Sequence, residues 1–576
     1  MILKSLHISN FRNFEEIDID LTNKNIIFGL NDIGKTNLLC ALRFLLDRRF
    51  RMKGFIDTDF YNRNIQSTIS ITLTINIEDE NDEDNKKIYS RMKGAISSDA
   101  KNIHIRLISK YNDVTLMGEP ELFWGTNEED LEEIPSSQTF FEIDKLFNVI
   151  YIDSSISLEN EFKRYTKDIL RGNTSLSEIE RDSVNTIIDE LNQKVGDLEN
   201  IKNFENDLVT EYKNFRDEND LKISVRSEIE LNNLHTKLTP YILNGDSGIY
   251  PTSGDGRKKI LAYTIMTLEN RELEEKKINI FLVEELENHL HRSMQIALSY
   301  QLFGDEIFKH LFITTHSSLI VSQMDNVNLI KLFKDEKITG KSYNYIVPLE
   351  YKKLKQKLNE KLAEAIFADT VLLIEGPSEK TLFERILFEK HKKYESQGGY
   401  MLEVDGIDFK TYNSVLKNLG IKVIIKTDND LKLNEGKKEV NLLGLNRGLR
   451  LINEDMRSNL PNIDIKEYKG ENEYKINLQK EIFDTTYNDE VNTLQENNVY
   501  LSRVDLENDL YCVISEKMDQ VALDNGSSKN GIDYLQTSKL INMIKLCNML
   551  DSEDCEKILN HHLFKGIKEL VESCSH

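Results

Sequence analysis

Three stretches of this sequence put reactive side chains at spacings that chemistry can use. The first, Gly29-Leu-Asn-Asp-Ile-Gly34-Lys35-Thr36, satisfies the pattern GxxxxGK[ST]. Its glycines let backbone N–H groups turn inward onto phosphate oxygens, and a helix starting behind the loop adds favourable dipole potential. Asn31, Gly34, Lys35 and Thr36 are therefore the candidate nucleotide contacts, with Lys35 reaching the β and γ phosphates and Thr36 holding Mg²⁺. The second stretch ends an apolar run in Glu284-Glu285. Such a pair can bind the magnesium shell, the role given to Glu284, and polarise an attacking water, the role given to Glu285. The third, Val371-Leu-Leu-Ile-Glu375-Gly-Pro-Ser-Glu379-Lys380, sets one carboxylate at a strand end and another four residues on, with Gly376 and Pro377 forcing a turn between them. Val423-Ile-Ile-Lys-Thr-Asp428-Asn-Asp430 brings two more carboxylates to a second strand end. Crowded carboxylates repel, and several in one cleft point to a divalent cation, with Mg²⁺ or Mn²⁺ suited to oxygen ligands.

These groups need strands that end beside one another and helices that start behind them. The opening residues 6–21 alternate around a polar turn, which predicts a hairpin, and a strand follows at 25–28. Apolar residues on a helical period over 38–46 make 29–37 a strand-to-helix turn. Strand-like runs recur at 67–77, 103–109, 278–283, 311–315, 371–374 and 422–427. The last four are followed by polar residues, which is where open α/β sheets hold ligands. His316, just after one of them, is placed to sense a γ-phosphate; alone it would read as structural, and its order after Glu285 suggests the role. Ser253-Gly254-Asp-Gly-Arg257 precedes a helix-like stretch and reads as a second phosphate-facing helix start or as a plain turn. The acidic run 78–84 reads as an exposed loop. Over 157–220 apolar residues such as Val184, Ile188, Leu191, Val195 and Leu198 recur mostly three or four apart, an amphipathic helix that either pairs two subunits or lies on its own domain.

Composition narrows the class. With 576 residues, 39% hydrophobic and 30% charged, and only 7 prolines, the chain fits several folded, helix-rich units. No apolar run approaches the length that spans a bilayer, and the N-terminus lacks a secretory signal pattern. The five cysteines are scattered without a CxxC pair, so a reducing cytoplasm is the expected compartment. A net charge of −24 argues against coating nucleic acid by bulk electrostatics, although basic clusters remain at 48–53, 257–259 and 352–357, each read as solvated surface before DNA contact.

The order of phosphate loop, Ser-Gly signature, double-carboxylate strand and histidine, with the opening Ile8-Ser-Asn-Phe-Arg-Asn-Phe14, resembles the ABC ATPase class related to RecF and SMC proteins. By that resemblance Ser253 and Gly254 complete the ATP site of a partner subunit. Two departures stand out: Glu284 replaces the usual aspartate, and the signature reads SGDG, so ATP binding is expected and hydrolysis left open. The Glu375–Asp430 pattern is similar to Toprim domains. An ABC ATPase fused ahead of Toprim resembles the OLD (overcoming lysogenization defect) nucleases, and more closely the nuclease subunits of Gabija anti-phage defence, over almost the whole chain.

The resemblance implies an α/β protein with an ABC-type ATPase domain over 1–348, carrying a helical dimerisation insertion at about 157–240, and a Toprim nuclease domain with helical additions over 349–576. It implies a two-metal DNA endonuclease, with Glu375, Asp428 and Asp430 on one ion, Glu379, Asp505 and Glu507 on the other, and Lys539 neutralising charge on the phosphate. Asp509 reads as a helix-surface carboxylate or a further ligand. Implied partners are double-stranded DNA, a second or fourth copy of the chain, and a UvrD-like helicase subunit. Two other classes remain: a Toprim topoisomerase or primase, and an ATP-switched DNA clamp or scaffold without nuclease activity.

Overall fold

The computed structural model describes residues 1–153 except 31, 93–99 and 138–139, then 178–215, 222, 225, and 255–574 except 275, 289 and 471. Asn31, Ser253, Gly254 and most of the expected 157–240 insertion lie outside the described residues; within that insertion Glu178–Gly196 and Glu199–Phe215 are helices.

A six-stranded sheet carries the first site. Its order runs Phe147–Ile152, Ile278–Glu284, Leu311–Thr314, Lys24–Phe28, Val327–Lys334, Ile338–Tyr345. The first five are parallel and only the last pair is antiparallel. Because successive strand residues point to opposite faces, Ile26 and Phe28 enter one core while Ile27 enters another. The second core is closed by an antiparallel sheet that begins with the expected hairpin, Ile2–Phe11 and Phe14–Asp20, and by the helix Lys35–Leu46.

The first core continues without a break into the C-terminal half. There a four-stranded parallel sheet, ordered Gly399–Glu403, Thr370–Ile374, Lys422–Thr427, Val499–Leu501, carries the second site and is wrapped by helices. The two halves are joined by polar bonds inside this core. Asn359, fully buried on the helix Lys355–Ala365, donates to the carbonyls of Ser322 (2.9 Å) and Met324 (2.8 Å) and accepts from the Tyr345 hydroxyl (2.7 Å). Lys331 is buried and donates to the Ala368 carbonyl (2.8 Å).

Two expectations are corrected. The acidic run 78–84 is not simply an exposed loop: Asp82 caps the helix Glu83–Arg91 and pairs with the N-terminal amine of Met1, while Asp84 is buried against Lys309 and His310. Burial opposes charge on Asp84, but those bonds win and hold its carboxyl well below the usual range. Among the basic clusters, Arg51 is buried and paired with Asp144, and Lys352 and Lys357 pair with Asp325 and Asp405. Among the described residues no helix is long and apolar enough to cross a membrane.

Removing the amide of Asn359 leaves two carbonyls and a hydroxyl without their partner in the core. Asn359→Ala is expected to lower stability by about 2–3 kcal/mol, read as a fall in the denaturation midpoint; an unchanged midpoint would mean the two halves do not depend on this junction.

Candidate nucleotide site and acidic cleft

The phosphate loop leaves the central strand Lys24–Phe28 and enters the helix Lys35–Leu46. Only glycine fits at position 34: φ is +109°, and a Cβ would lie 2.4 Å from the Asn13 amide and 2.9 Å from the Phe14 ring. That crowding is functional packing, because the hairpin turn latches the loop. Asn13 donates to the Ile33 carbonyl (3.0 Å) and accepts from Asn37 (2.8 Å), and Arg12 bridges Asn37 and Asp59 (2.9 Å each).

Lys35 folds onto its own loop, donating to the carbonyls of Gly29 (2.9 Å) and Leu30 (3.0 Å). Burial lowers its pKa, opposed by Glu285, Asp32 and Glu284. Thr36 donates to Glu284, whose other oxygen accepts from Tyr151, so the strand-end carboxylate is fixed from both sides. Glu285 sits at φ +46° and donates its N–H to the Thr314 carbonyl; His316 Nε2 lies 4.0 Å from its carboxylate. Burial, then the charge of Lys35, lowers the His316 pKa, which favours a neutral ring. Asp32, Gly34, Lys35, Thr36, Asn37 and Glu285 line a cavity of about 520 Å³. The structure thus gathers Gly34, Lys35, Thr36, Glu284, Glu285 and His316 at one end of the sheet. The His316 ring also stacks on Phe367 (5.7 Å, 29°), three residues ahead of the strand Thr370–Ile374.

The acidic cleft lies at the C-terminal ends of adjacent parallel strands. Thr370–Ile374 delivers Glu375, and the helix Pro377–Lys390 begins at once, so Glu379 turns back beneath it and accepts from the Glu375 N–H (2.7 Å). Glu375 Oε1 accepts from the Thr427 hydroxyl (2.7 Å), the Asp428 N–H (2.9 Å) and Arg447 (2.9 Å). Glu379 is 5% exposed and its Oε1 has no hydrogen-bond partner among the described residues. Burial, then the neighbouring charge of Glu375, pushes its carboxyl up to about 7. Asp428 is likewise raised, by burial and then by Glu379 and Glu375.

The remaining candidates come from later in the chain. Asp505 caps the helix Leu506–Asp524 and accepts from Asn508 and Gln536 (3.1 Å). Glu507 is buried with Lys539 Nζ 3.5 Å from its Oε2. Asp509 is not on the helix surface: it is buried and accepts from the N–H groups of Arg503 and Val504, anchoring the loop that presents Asp505. Among the described residues no group of three or more His, Cys, Asp or Glu side chains is placed to hold a metal ion as the side chains rest here. Three contributors escaped the sequence reading. Buried Lys426 donates to Ser502 (2.7 Å), Ser502 donates to Asp428 (3.0 Å), and Arg447 joins Glu375 to Asp430 (2.6 Å). Lys426 lies two residues before Asp428 at the end of its strand and was open to detection; Arg447 carried no local signal.

Residues 1–321 match the family model described as AAA ATPase domain, and residues 366–430 match that described as overcoming lysogenization defect protein-like, TOPRIM domain. The chain is 43% identical over 584 aligned residues to Endonuclease GajA of Bacillus cereus (strain VD045), covering 100% of both chains. It is 24% identical over 193 residues to Endonuclease GajA of Bacillus cereus (strain HuB5-5), 28% of each. Over 42 residues it is 57% identical to the DNA replication and repair protein RecF of Agathobacter rectalis, 7% of this chain and 12% of that one. With an ATPase domain, an OLD-like TOPRIM domain and end-to-end identity to one such protein, the chain belongs to the GajA endonuclease family.

Proposed function

We propose that this chain is a cytoplasmic DNA endonuclease of anti-phage defence, hydrolysing phosphodiester bonds in the acidic cleft under control of nucleotide at the phosphate loop. The observation that carries the reading is the meeting of Glu375, Glu379 and Asp428 at adjacent strand ends, with Lys539 reaching toward Asp428, Asp505 and Glu507 from a separate helix. The likeness to Endonuclease GajA supports the same reading.

The residues fit divalent cations, because Glu379 offers a buried carboxylate oxygen without a donor among the described residues, next to two further carboxylates. Glu375, Asp428 and Asp430 would hold one Mg²⁺ or Mn²⁺, and Glu379, Asp505 and Glu507 the other, while Thr36 and Glu284 serve the magnesium that accompanies ATP. When bound, such ions lower the pKa of water and stabilise a leaving oxygen. The protein's own part is orientation. Thr427 and the Asp428 N–H aim Glu375, and the Lys426–Ser502 chain aims Asp428. Lys539, half-exposed beside Glu507, brings a positive charge to the rim, where it offsets charge gathering on a phosphate. Nucleotide control has a physical path: the γ-phosphate sensor His316 rests on Phe367, just ahead of the strand that bears Glu375. DNA, a homodimer or homotetramer, and a UvrD-like helicase subunit (GajB) are the partners of this reading.

Purified protein with Mg²⁺ or Mn²⁺ is expected to nick or linearise supercoiled plasmid, and Glu375→Ala to abolish it. Lys35→Ala is expected to change how cleavage responds to ATP. No cleavage by the wild type under any condition, with ATP turnover intact, would favour a DNA scaffold; equal rates with and without ATP in both proteins would remove the nucleotide control.

Glu379 adds a pH dependence. A carboxyl held at about 7 binds its proton more tightly in the fold than in the unfolded chain, where the ordinary value is 4.5. Its stabilising contribution is present below the ordinary value and is lost as pH rises through about 7. Metal-free wild type is expected to lose this part of its thermal stability from about pH 4.5 to about pH 7, and Glu379→Gln to lose less; parallel profiles would show that Glu379 is ionised throughout.

A further inference from the structure

Arg447 stands among the three residues that the proposed function gives to one metal ion. Its guanidinium donates to Glu375 Oε1 (2.9 Å) and Asp430 Oδ2 (2.6 Å), and lies 3.4 Å from the Asp428 carbonyl oxygen. These carboxylates leave the ends of two adjacent strands, so no local sequence relation brings the arginine to them.

The helix Leu443–Leu451 holds it there by close packing. A Cβ on Gly444 would lie 2.2 Å from the Asp428 carbonyl oxygen and 2.7 Å from the Asp430 nitrogen, and one on Gly448 would lie 2.9 Å from Leu494. The Gly444 N–H also donates to the Asp430 carbonyl (3.0 Å). Gly444 therefore seats the helix directly on the 428–430 turn and Gly448, one turn on, seats it against Leu494, and Arg447, between them, reaches over the carboxylates.

Glu375 Oε1 already accepts from the Thr427 hydroxyl, the Asp428 N–H and Arg447. Of the three, Arg447 alone carries a full positive charge, and that charge repels a cation approaching the Glu375–Asp430 pair. Two of those donors belong to the strand and the turn behind it. Arg447 is the one on a long rotatable side chain, and that side chain is 23% exposed, so it has room to leave. A guanidinium also offsets the mutual repulsion of the carboxylates without needing the close, near-octahedral shell that Mg²⁺ demands.

We propose that Arg447 is an exchangeable counter-ion of the acidic cleft. It closes the Glu375–Asp430 ligand pair when no divalent cation is present and releases it when one binds. The inference rests on the metal-dependent reading above and extends it: the arginine sets the cation concentration at which the site loads. Each loading event carries the cost of opening the arginine pair, so apparent affinity is reduced by the fraction of time the pair is open.

The test is calorimetric titration of Mn²⁺ into the full chain, with thermal midpoints in EDTA and in Mn²⁺. Arg447→Met is expected to bind Mn²⁺ about tenfold more tightly than wild type and to lose stability in EDTA but not in Mn²⁺. Arg447→Lys, which keeps the charge but loses the guanidinium fork that spans both carboxylates, should fall between them and serves if the methionine variant folds poorly. Arg450→Met, one turn along the same helix, removes the same charge without touching the carboxylates and should leave affinity unchanged. Unchanged or weaker Mn²⁺ binding in Arg447→Met overturns the proposal, as does equal tightening in Arg450→Met, or equal loss of stability with and without Mn²⁺. If neither wild type nor Arg447→Met binds Mn²⁺, the metal reading itself falls and the exchange with it. Tight binding by Arg447→Met alone would support the exchange most directly.

Discussion

The arrangement of the C-terminal half depends on one unfavourable interaction, the crowding of Glu379, Glu375 and Asp428 at the ends of two parallel strands. Burial first, and then the charge of Glu375, push the Glu379 carboxyl up to about 7, so that its charged form is disfavoured there. The surrounding residues answer that repulsion. Lys426 lies buried beneath, tied through Ser502 to Asp428; Arg447 covers the rim from the glycine-seated helix; Lys539 approaches Glu507 from the far side. On the metal-dependent reading proposed above, such a cleft needs only to exchange these protein groups for a stronger positive charge.

The same logic places the nucleotide site. A parallel sheet sends the C-terminal ends of neighbouring strands to one edge, and there the phosphate loop, Glu284, Glu285 and His316 converge. The two edges are linked by packed side chains. Phe28, at the strand end just before the phosphate loop, meets Phe367 edge-on (6.0 Å), and Phe367 also carries the His316 ring. From there the chain runs directly into the strand bearing Glu375, while buried Lys331 and Asn359 bind the two halves across the same core. Side chains packed this closely have few ways to absorb a displacement, which is the physical basis of the nucleotide control proposed above.

Much of this was legible in the chain. Alternation and helical spacing marked the opening hairpin, the central strands and the helix behind the phosphate loop, because period-two and period-3.6 patterns are imposed by one-sided burial. The GxxxxGKT loop and the carboxylates at strand ends stood out because their chemistry depends on local spacing. Reading charge from runs of like residues was less dependable. Asp82 and Asp84 looked like loop charge and turned out to anchor the N-terminus and His310, and Arg51 looked like surface and is buried on Asp144. Whether a charge is solvated or paired depends on what the fold brings opposite it, which no window of sequence contains.

Sequence by itself determined the order of strands, turns and reactive residues, since each is set by neighbours a few positions away. It also carried enough pattern to relate the chain to ATPase–Toprim nucleases. Only the tertiary structure decided which cations stand against which carboxylates. Arg447 lies 72 positions from Glu375, and Ser502 lies 74 from Asp428. Pairings at that separation follow from the closing of a parallel sheet and the seating of a helix on Gly444, and these are properties of packing in space, to which spacing along the chain is blind.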